Sequence, residues 1–136
     1  MYQHILNWVS DIITINSVLI GLASLRRSKF EGWLKLELAR KLYQNGATEI
    51  HIEESNDEIS RCDLSFLVEG IRYYIELKTP NTNWRINGIE NLIRPITLNR
   101  SSIIKDVEKF RANHLMTGII CFVLFTIPLN DNRWQD

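Results

Sequence analysis

The sequence predicts a single α/β domain, and the order of its apolar patterns carries that prediction. The first 45 residues place apolar side chains at helical spacing, and the segment after Asn45-Gly46 alternates apolar and polar residues. A second helical pattern then precedes a final apolar run at residues 118–127. Such switches between a period of 3.6 and a period of 2 mark changes between helix and strand. A chain of 136 residues is the length of one domain.

The front of the chain predicts three helical segments. Two apolar stripes lie in residues 1–25, on either side of a break near Asn16-Ser17; they consist of Leu6, Val9 and Ile13, and of Leu19, Leu22 and Leu25. The next helix is expected from Phe30 to Gln44, because Asn45-Gly46 is a good helix terminator. Its buried stripe consists of Leu34, Leu38 and Leu42.

The remaining elements follow from alternation and composition. Three strands are predicted, at Glu49–Glu53, Cys62–Val68 and Ile71–Thr79. Ser101 or Ser102 is expected to cap a further helix, whose core stripe consists of Ile103, Val107 and Phe110. The run from Gly118 to Ile127 is rich in β-branched and aromatic residues, which predicts a strand buried on both faces.

The hairpin between the second and third strands brings charged residues together. Glu69-Gly70 predicts a two-residue turn, so that Val68 faces Ile71 and, by counting back, Asp63 lies opposite Glu76. Facing carboxylates repel, and a fold tolerates them mainly where a cation lies between them. Lys78 follows two residues after Glu76, so its side chain projects from the same face of the strand.

This Asp…Glu-x-Lys pattern, with its strand placement and the helix and strand that follow, resembles the PD-(D/E)xK nuclease superfamily. The resemblance covers roughly residues 30–128, and twelve residues separate the two acids. Cys62 stands where many members have proline. The resemblance implies a restriction-endonuclease-like core of helix, three strands, helix and strand, with a mixed central sheet flanked by helices. Residues 1–29 would be an extra N-terminal helical segment of the same domain.

The resemblance also implies a metal site for Mg²⁺ or Mn²⁺. Asp63, Glu76 and the backbone carbonyl of Leu77 would bind the ion, and Lys78 would hold or deprotonate the attacking water and stabilise charge on the phosphate. Glu31 is the expected further acid, because it extends the Leu34 stripe by one turn, whereas Glu37 lies about 100° away on the helix. The simpler explanations are solvated acids, a surface salt bridge for Lys78, and a favourable helix-dipole position for Glu31.

Several basic and aromatic residues are candidates for binding nucleic acid. Lys105 and Lys109 lie one helical turn apart, and Trp84-Arg85 lies in the loop beyond the active strand. A solvated lysine face and a surface anchor explain these residues equally well. The same choice between phosphate contacts and a soluble linker applies to the basic segment 26–29, which contains Arg26, Arg27 and Lys29.

Composition limits the function classes. Sixteen basic and sixteen acidic residues give zero formal charge, which argues against a protein that coats nucleic acid by tight, non-specific binding. Cys62 and Cys121 predict buried free thiols, and the N-terminal apolar segment is too short and interrupted to span a bilayer, so a cytoplasmic protein is expected.

The predicted function is metal-dependent phosphodiester hydrolysis, with DNA as the expected substrate and a homodimer as the expected assembly. The alternative is an inactive nuclease-fold module that binds nucleic acid or protein.

Overall fold

A computed structural model of the chain describes residues 1–26, 28–53, 62–80, 96–112 and 117–125, with the backbone alone for residues 96–99. The described part contains four helices and four strands. In chain order they are α1 (Tyr2–Ile15), α2 (Ser17–Arg26), α3 (Glu31–Gln44), β1 (Thr48–Ile52), β2 (Leu64–Val68), β3 (Ile71–Lys78), α4 (Ile96–Ala112) and β4 (Thr117–Phe122). This order confirms the α/β class and the break between the first two helices.

The four strands form one mixed sheet in the order β1-β2-β3-β4. The pairs β1-β2 and β2-β3 are antiparallel, and β4 runs parallel to β3. The predicted hairpin turn is confirmed, because Val68 pairs with Ile71 and the turn residues Glu69 and Gly70 have φ values of +51° and +76°. Two successive positive φ values define the hairpin turn whose twist matches the strands. A mixed sheet flanked by helices is thus confirmed, while the restriction-endonuclease-like fold stays a prediction.

The core lies between the sheet and the helices α1 and α3. The predicted α3 stripe of Leu34, Leu38 and Leu42 is confirmed, since all three side chains are fully buried. The buried sheet residues of the same cluster are Leu64, Phe66, Ile75, Leu77 and Ile119. Because side chains alternate between the faces of a strand, Glu76 and Lys78 project from the face opposite Ile75 and Leu77.

Helix α4 covers that second face. Gly118 of β4 lies directly beneath the Phe110 ring of α4, where an added Cβ would be 2.3 Å from the ring. In the sheet, Gly118 pairs with Tyr74 of β3, two residues before Glu76. The glycine therefore lets α4 approach the sheet closely enough for its polar side chains to reach Glu76.

Four predictions about the helices and strands were wrong in detail. Helix α4 begins at Ile96, five residues before the predicted Ser101 cap. Among the described strands β4 lies at the edge of the sheet, and it leaves Phe122 40 % exposed, so it is not buried on both faces. The first two helices bury different stripes from those predicted; these are Ile5, Val9 and Ile12 in α1 and Ile20, Ala23 and Ser24 in α2. Both helices are apolar on several sides, so the sequence pattern did not determine the buried side.

No single described helix is long and apolar enough to cross a bilayer; α1 and α2 satisfy that criterion only together, across a 77° bend. The short helical turn predicted near residues 90–93 and the closing segment after residue 127 lie outside the described residues.

Candidate active site

Asp63 and Glu31 both contact the backbone near the C-terminal end of β3. The Asp63 carboxylate accepts a hydrogen bond from the Leu77 N–H at 2.7 Å, and the Glu31 carboxylate accepts one from the Thr79 N–H at 3.1 Å. Strand β2 begins only at Leu64, so β3 extends beyond its neighbour here. The two carboxylates therefore provide acceptors for N–H groups that the β2 ladder does not reach. Leu77 and Thr79 are two residues apart, so these acceptors lie about 7 Å from each other along one edge.

The Leu77 carbonyl belongs to the same edge. In an extended strand, the N–H and C=O groups of one residue point the same way. The Leu77 N–H points to Asp63, and the neighbouring Lys78 carbonyl points to β4, where it accepts from the Val123 N–H at 2.8 Å. The Leu77 carbonyl is thus directed toward the Asp63 side, where the prediction requires it.

Asp63 is held on its second oxygen by a lysine that the sequence analysis missed. The Lys35 Nζ atom of α3 lies 2.8 Å from Asp63 Oδ1 and 2.9 Å from Glu53 Oε1. Burial lowers the pKa of Lys35, but the hydrogen bonds and charges of Asp63 and Glu53 outweigh burial, and the pKa is raised. Lys35 is therefore an ammonium ion at neutral pH. Its spacing of four residues from Glu31, which places both on one helix face, is the signal that would have identified it.

Glu76 and Lys78 form a second charged group on the α4 side of the sheet. The Lys78 Nζ atom lies 2.7 Å from Glu76 Oε1 and 3.4 Å from Asp106 Oδ2. Lys109 Nζ lies 3.5 Å from Glu76 Oε2, so this residue lies beside the site, as predicted for one of the two α4 lysines. Asp106 was not identified from the sequence. Its Oδ2 atom and Glu76 Oε2 are buried and, within the described part of the chain, have ion-pair neighbours but no hydrogen-bond partner.

The protonation state of Lys78 affects its predicted role. Burial lowers the pKa of Lys78, but its hydrogen bond to Glu76 and the charges of Glu76 and Asp106 outweigh burial and raise the pKa. An ammonium ion cannot accept a proton. In this arrangement Lys78 is therefore suited to stabilising negative charge, and not to deprotonating water.

The predicted direct pairing of Asp63 with Glu76 was wrong. The β2-β3 ladder ends at Leu64 opposite Ile75, and the Asp63 N–H also donates to the Ile75 carbonyl, which is one residue out of register. This irregularity directs the Asp63 carboxylate toward Lys35 of α3, whereas Glu76 contacts lysines on the α4 side. The two acids thus have separate lysine partners instead of one shared cation.

The other candidates are distributed as follows. Glu37 pairs with Arg40 at 2.6 Å on the surface of α3, so of the two glutamates Glu31 is the one that contacts β3. Lys105, Arg26 and Lys29 are exposed. Arg27, Trp84 and Arg85 lie outside the described residues.

The acidic side chains provide the hard oxygen ligands that Mg²⁺ prefers, but in this structure their carboxylates are not directed toward one common position. Among the described residues, no three His, Cys, Asp or Glu side chains are close enough together to hold a metal ion. The lysine ion pairs keep Asp63 and Glu76 engaged on different sides of the β3 end.

Comparisons of the chain with protein-family models, curated proteins and solved structures found no match. The resemblance to the PD-(D/E)xK superfamily therefore stays a prediction that rests on the residues themselves.

Proposed function

We propose that this protein is a metal-dependent phosphodiesterase of the PD-(D/E)xK type, with DNA as its substrate and endonucleolytic cleavage as its reaction. One observation carries the proposal. Asp63 and Glu31 were selected from the sequence, and both contact the segment from Glu76 to Thr79, which contains Lys78. Asp63 reaches that segment through the β2-β3 hairpin, whereas Glu31 is 48 residues away from its partner Thr79, so chain proximity does not explain its contact.

The residues would act in distinct ways. Asp63, Glu76 and the Leu77 carbonyl would hold Mg²⁺ or Mn²⁺ once their ion pairs open, with Glu31 beside them; such an ion supplies a nucleophilic water and stabilises phosphate charge when bound. Lys78, whose pKa is raised by Glu76 and Asp106 in the arrangement described above, would stabilise negative charge on the scissile phosphate. Lys109, which already contacts Glu76, is the nearer of the two α4 lysines to a phosphate bound here.

Nucleic-acid contacts would have to be local, because the chain carries no net charge. Beyond the site itself, we propose that the exposed Lys105 of α4 and the segment Trp84-Arg85 contact nucleic acid. Lysine would neutralise backbone phosphates, and tryptophan would stack on bases.

We further propose a homodimer, because cutting both strands of DNA needs two such sites. Val9, Ile12 and Ile20 of the first two helices are buried in their own chain, so they do not contribute to such an interface. The apolar residues of α1 and α2 that do stay exposed are Tyr2, Leu6, Ile15, Val18, Leu19, Leu22 and Leu25. Self-complementary pairing is the commonest way to cover such a surface.

Sedimentation analysis tests the dimer. Deleting residues 1–25 would also remove core side chains, so point variants are better. Leu19→Lys with Leu22→Lys should give a folded monomer, while Leu36→Lys, on an exposed position of α3, should leave the mass unchanged. A wild-type monomer at micromolar concentration, with and without DNA, would instead favour a nicking activity.

A second function is favoured by the ion pairing. A chain whose acids are permanently neutralised by lysines would bind nucleic acid or a protein partner without turnover. The absence of three converging metal ligands among the described residues supports this alternative.

One assay separates the two functions. Supercoiled plasmid, single-stranded DNA and branched DNA are incubated with the protein in EDTA, Mg²⁺ or Mn²⁺, alongside Asp63→Asn and Lys78→Met. Cleavage that requires the metal and is lost in both variants supports the enzyme. DNA binding without cleavage by the wild type supports the inactive module.

A further inference from the structure

Lys35 occupies an unusual position for a lysine. Its side chain is only 7 % exposed, and its ammonium group lies between the carboxylates of Asp63 and Glu53. A group buried this deeply does not reach a substrate in solvent. Lysine is almost never buried to this degree unless it is paired, and this one is paired with an acid of the proposed metal site.

Lys35 and a metal ion would compete for Asp63. A magnesium ion binds a carboxylate oxygen at about 2.1 Å, so an ion on Asp63 Oδ1 would come within about 5 Å of the ammonium group, which is 2.8 Å from that atom. Two cations at that separation repel strongly where water is largely excluded. The other oxygen, Oδ2, already accepts the Leu77 N–H. A metal ion that binds Asp63 therefore has to displace Lys35 from Oδ1 or the Leu77 N–H from Oδ2, or lie close to the ammonium group.

Glu53 offers Lys35 a second position. Its carboxylate is 2.9 Å from the same Nζ atom, and its side chain is 51 % exposed, in contrast to the 16 % exposed side chain of Asp63. Lys35 can therefore keep an ion pair with Glu53 when Asp63 turns to a metal ion. This movement needs only side-chain rotation, because the carboxylates of Glu53 and Asp63 already lie within hydrogen-bond distance of the same ammonium group.

We propose that Lys35 is the internal counter-ion of Asp63 and opposes metal binding there, and that Glu53 retains Lys35 when Asp63 binds the metal. This inference rests on the proposed metal site. It makes Lys35 and Glu53 positioning residues with opposite effects. Removing the Lys35 charge should strengthen metal binding, whereas removing the Glu53 charge should weaken it, because Asp63 is then the one acid that pairs with Lys35 among the described residues.

Calorimetric titration with Mn²⁺, in the absence of DNA, tests the proposal. Lys35→Gln keeps a hydrogen-bonding side chain without the charge and should bind Mn²⁺ about tenfold more tightly than the wild type. Lys35→Arg keeps the charge and should match the wild type. Glu53→Gln should bind about tenfold more weakly. Lys41→Gln removes one positive charge elsewhere on α3 and controls for net charge.

Opposite signs distinguish this role from a structural one. If the Lys35-Glu53 pair only stabilised the fold, Lys35→Gln and Glu53→Gln would alter binding in the same direction or not at all. Thermal melts establish that each variant is folded. Should Lys35→Gln fail to fold, Glu53→Gln decides, since its side chain is half-exposed and its replacement leaves the core intact.

The outcomes also separate this inference from the proposed function. Equal Mn²⁺ affinity of the wild type and Lys35→Gln, with binding lost in Asp63→Asn, would overturn the role of Lys35 and keep the metal site. Binding in none of the variants would overturn the metal site and the inference together. Tighter binding by Lys35→Gln that persists after adding Asp63→Asn would place the metal elsewhere and overturn the inference.

Discussion

The replacement Asp63→Asn tests the contacts of the site without reference to catalysis. The amide keeps the shape of the side chain but loses its charge. The bond to the Leu77 N–H, 2.7 Å long, becomes a neutral hydrogen bond, which costs about 1 kcal/mol. The ion pair with Lys35 is lost as well, at a further cost of about 1–2 kcal/mol, because Glu53 still partly compensates the buried ammonium group.

The expected loss of unfolding free energy is therefore about 2–3 kcal/mol, which for a domain of this size lowers the melting temperature by about 8–12 °C. Urea and thermal denaturation in EDTA measure it without a contribution from metal. Asp11→Asn, at an exposed position of α1, is the matched control and should stay within about 0.5 kcal/mol of the wild type.

The double variant with Lys35→Gln shows whether the two residues interact. Their effects should be non-additive by about 1 kcal/mol or more, since each single change already removes the same ion pair. An Asp63→Asn protein that unfolds like Asp11→Asn, or a cycle with no coupling energy, would refute the arrangement of Asp63 between Lys35 and Leu77.

Three further predictions follow from α3. Glu31→Gln should reduce DNA cleavage by about tenfold or more, whereas Glu37→Gln should cleave like the wild type; the reverse would mean that Glu37 faces the reacting groups. Leu38→Ala should destabilise the fold by about 3 kcal/mol in urea denaturation, against less than about 0.5 kcal/mol for exposed Leu36→Ala; similar losses would show that α3 packs on another face. Folding raises the pKa of Lys35. The Lys35 ammonium group therefore contributes fully to stability below the ordinary lysine pKa of about 10.4, and this contribution is lost as the pH rises above that value. Urea denaturation should show this decline above about pH 10.4 in the wild type and a smaller decline in Lys35→Gln, which keeps only the contribution of Lys78.

Local signals explain which parts of the fold could be predicted. The Glu69-Gly70 turn sets the register of its own hairpin, and a single apolar stripe on a mostly polar helix identifies the buried side of α3. Helices α1 and α2 lack that contrast, because nearly every position is apolar or small, so tertiary packing selects the buried side. The start of α4 was misplaced because the prediction relied on a serine cap and did not consider Pro95, which immediately precedes the first helical residue in the sequence; proline is common at the start of a helix.

The candidate site was predictable in its location and not in its charge pairing. The hairpin turn brings Asp63 near Glu76 by short-range rules, and the helical positions of α3 place Glu31 on its buried side. That Glu31 belongs to the site was implied by the resemblance to the nuclease superfamily. The partners Lys35 and Asp106 depend on how α3 and α4 pack on the sheet, which no local pattern specifies. The irregular register at Asp63 is a further tertiary effect, because the hydrogen bond to Leu77 and the ion pair to Lys35 together outweigh the continuation of the ladder.

The two lysines that neutralise the acids differ in access to solvent, and this difference suggests different roles. The Lys35 side chain is 7 % exposed and held by two carboxylates, so it remains inside the protein whichever acid it pairs with. The Lys78 side chain is 25 % exposed, and one of its two acids is at the longer distance of 3.4 Å. Only a lysine with an open path to solvent can reach a phosphate without unfolding its surroundings. If both ion pairs open on metal binding, Lys78 is thus the cation that moves toward substrate, and Lys35 is the one that sets how readily Asp63 becomes free.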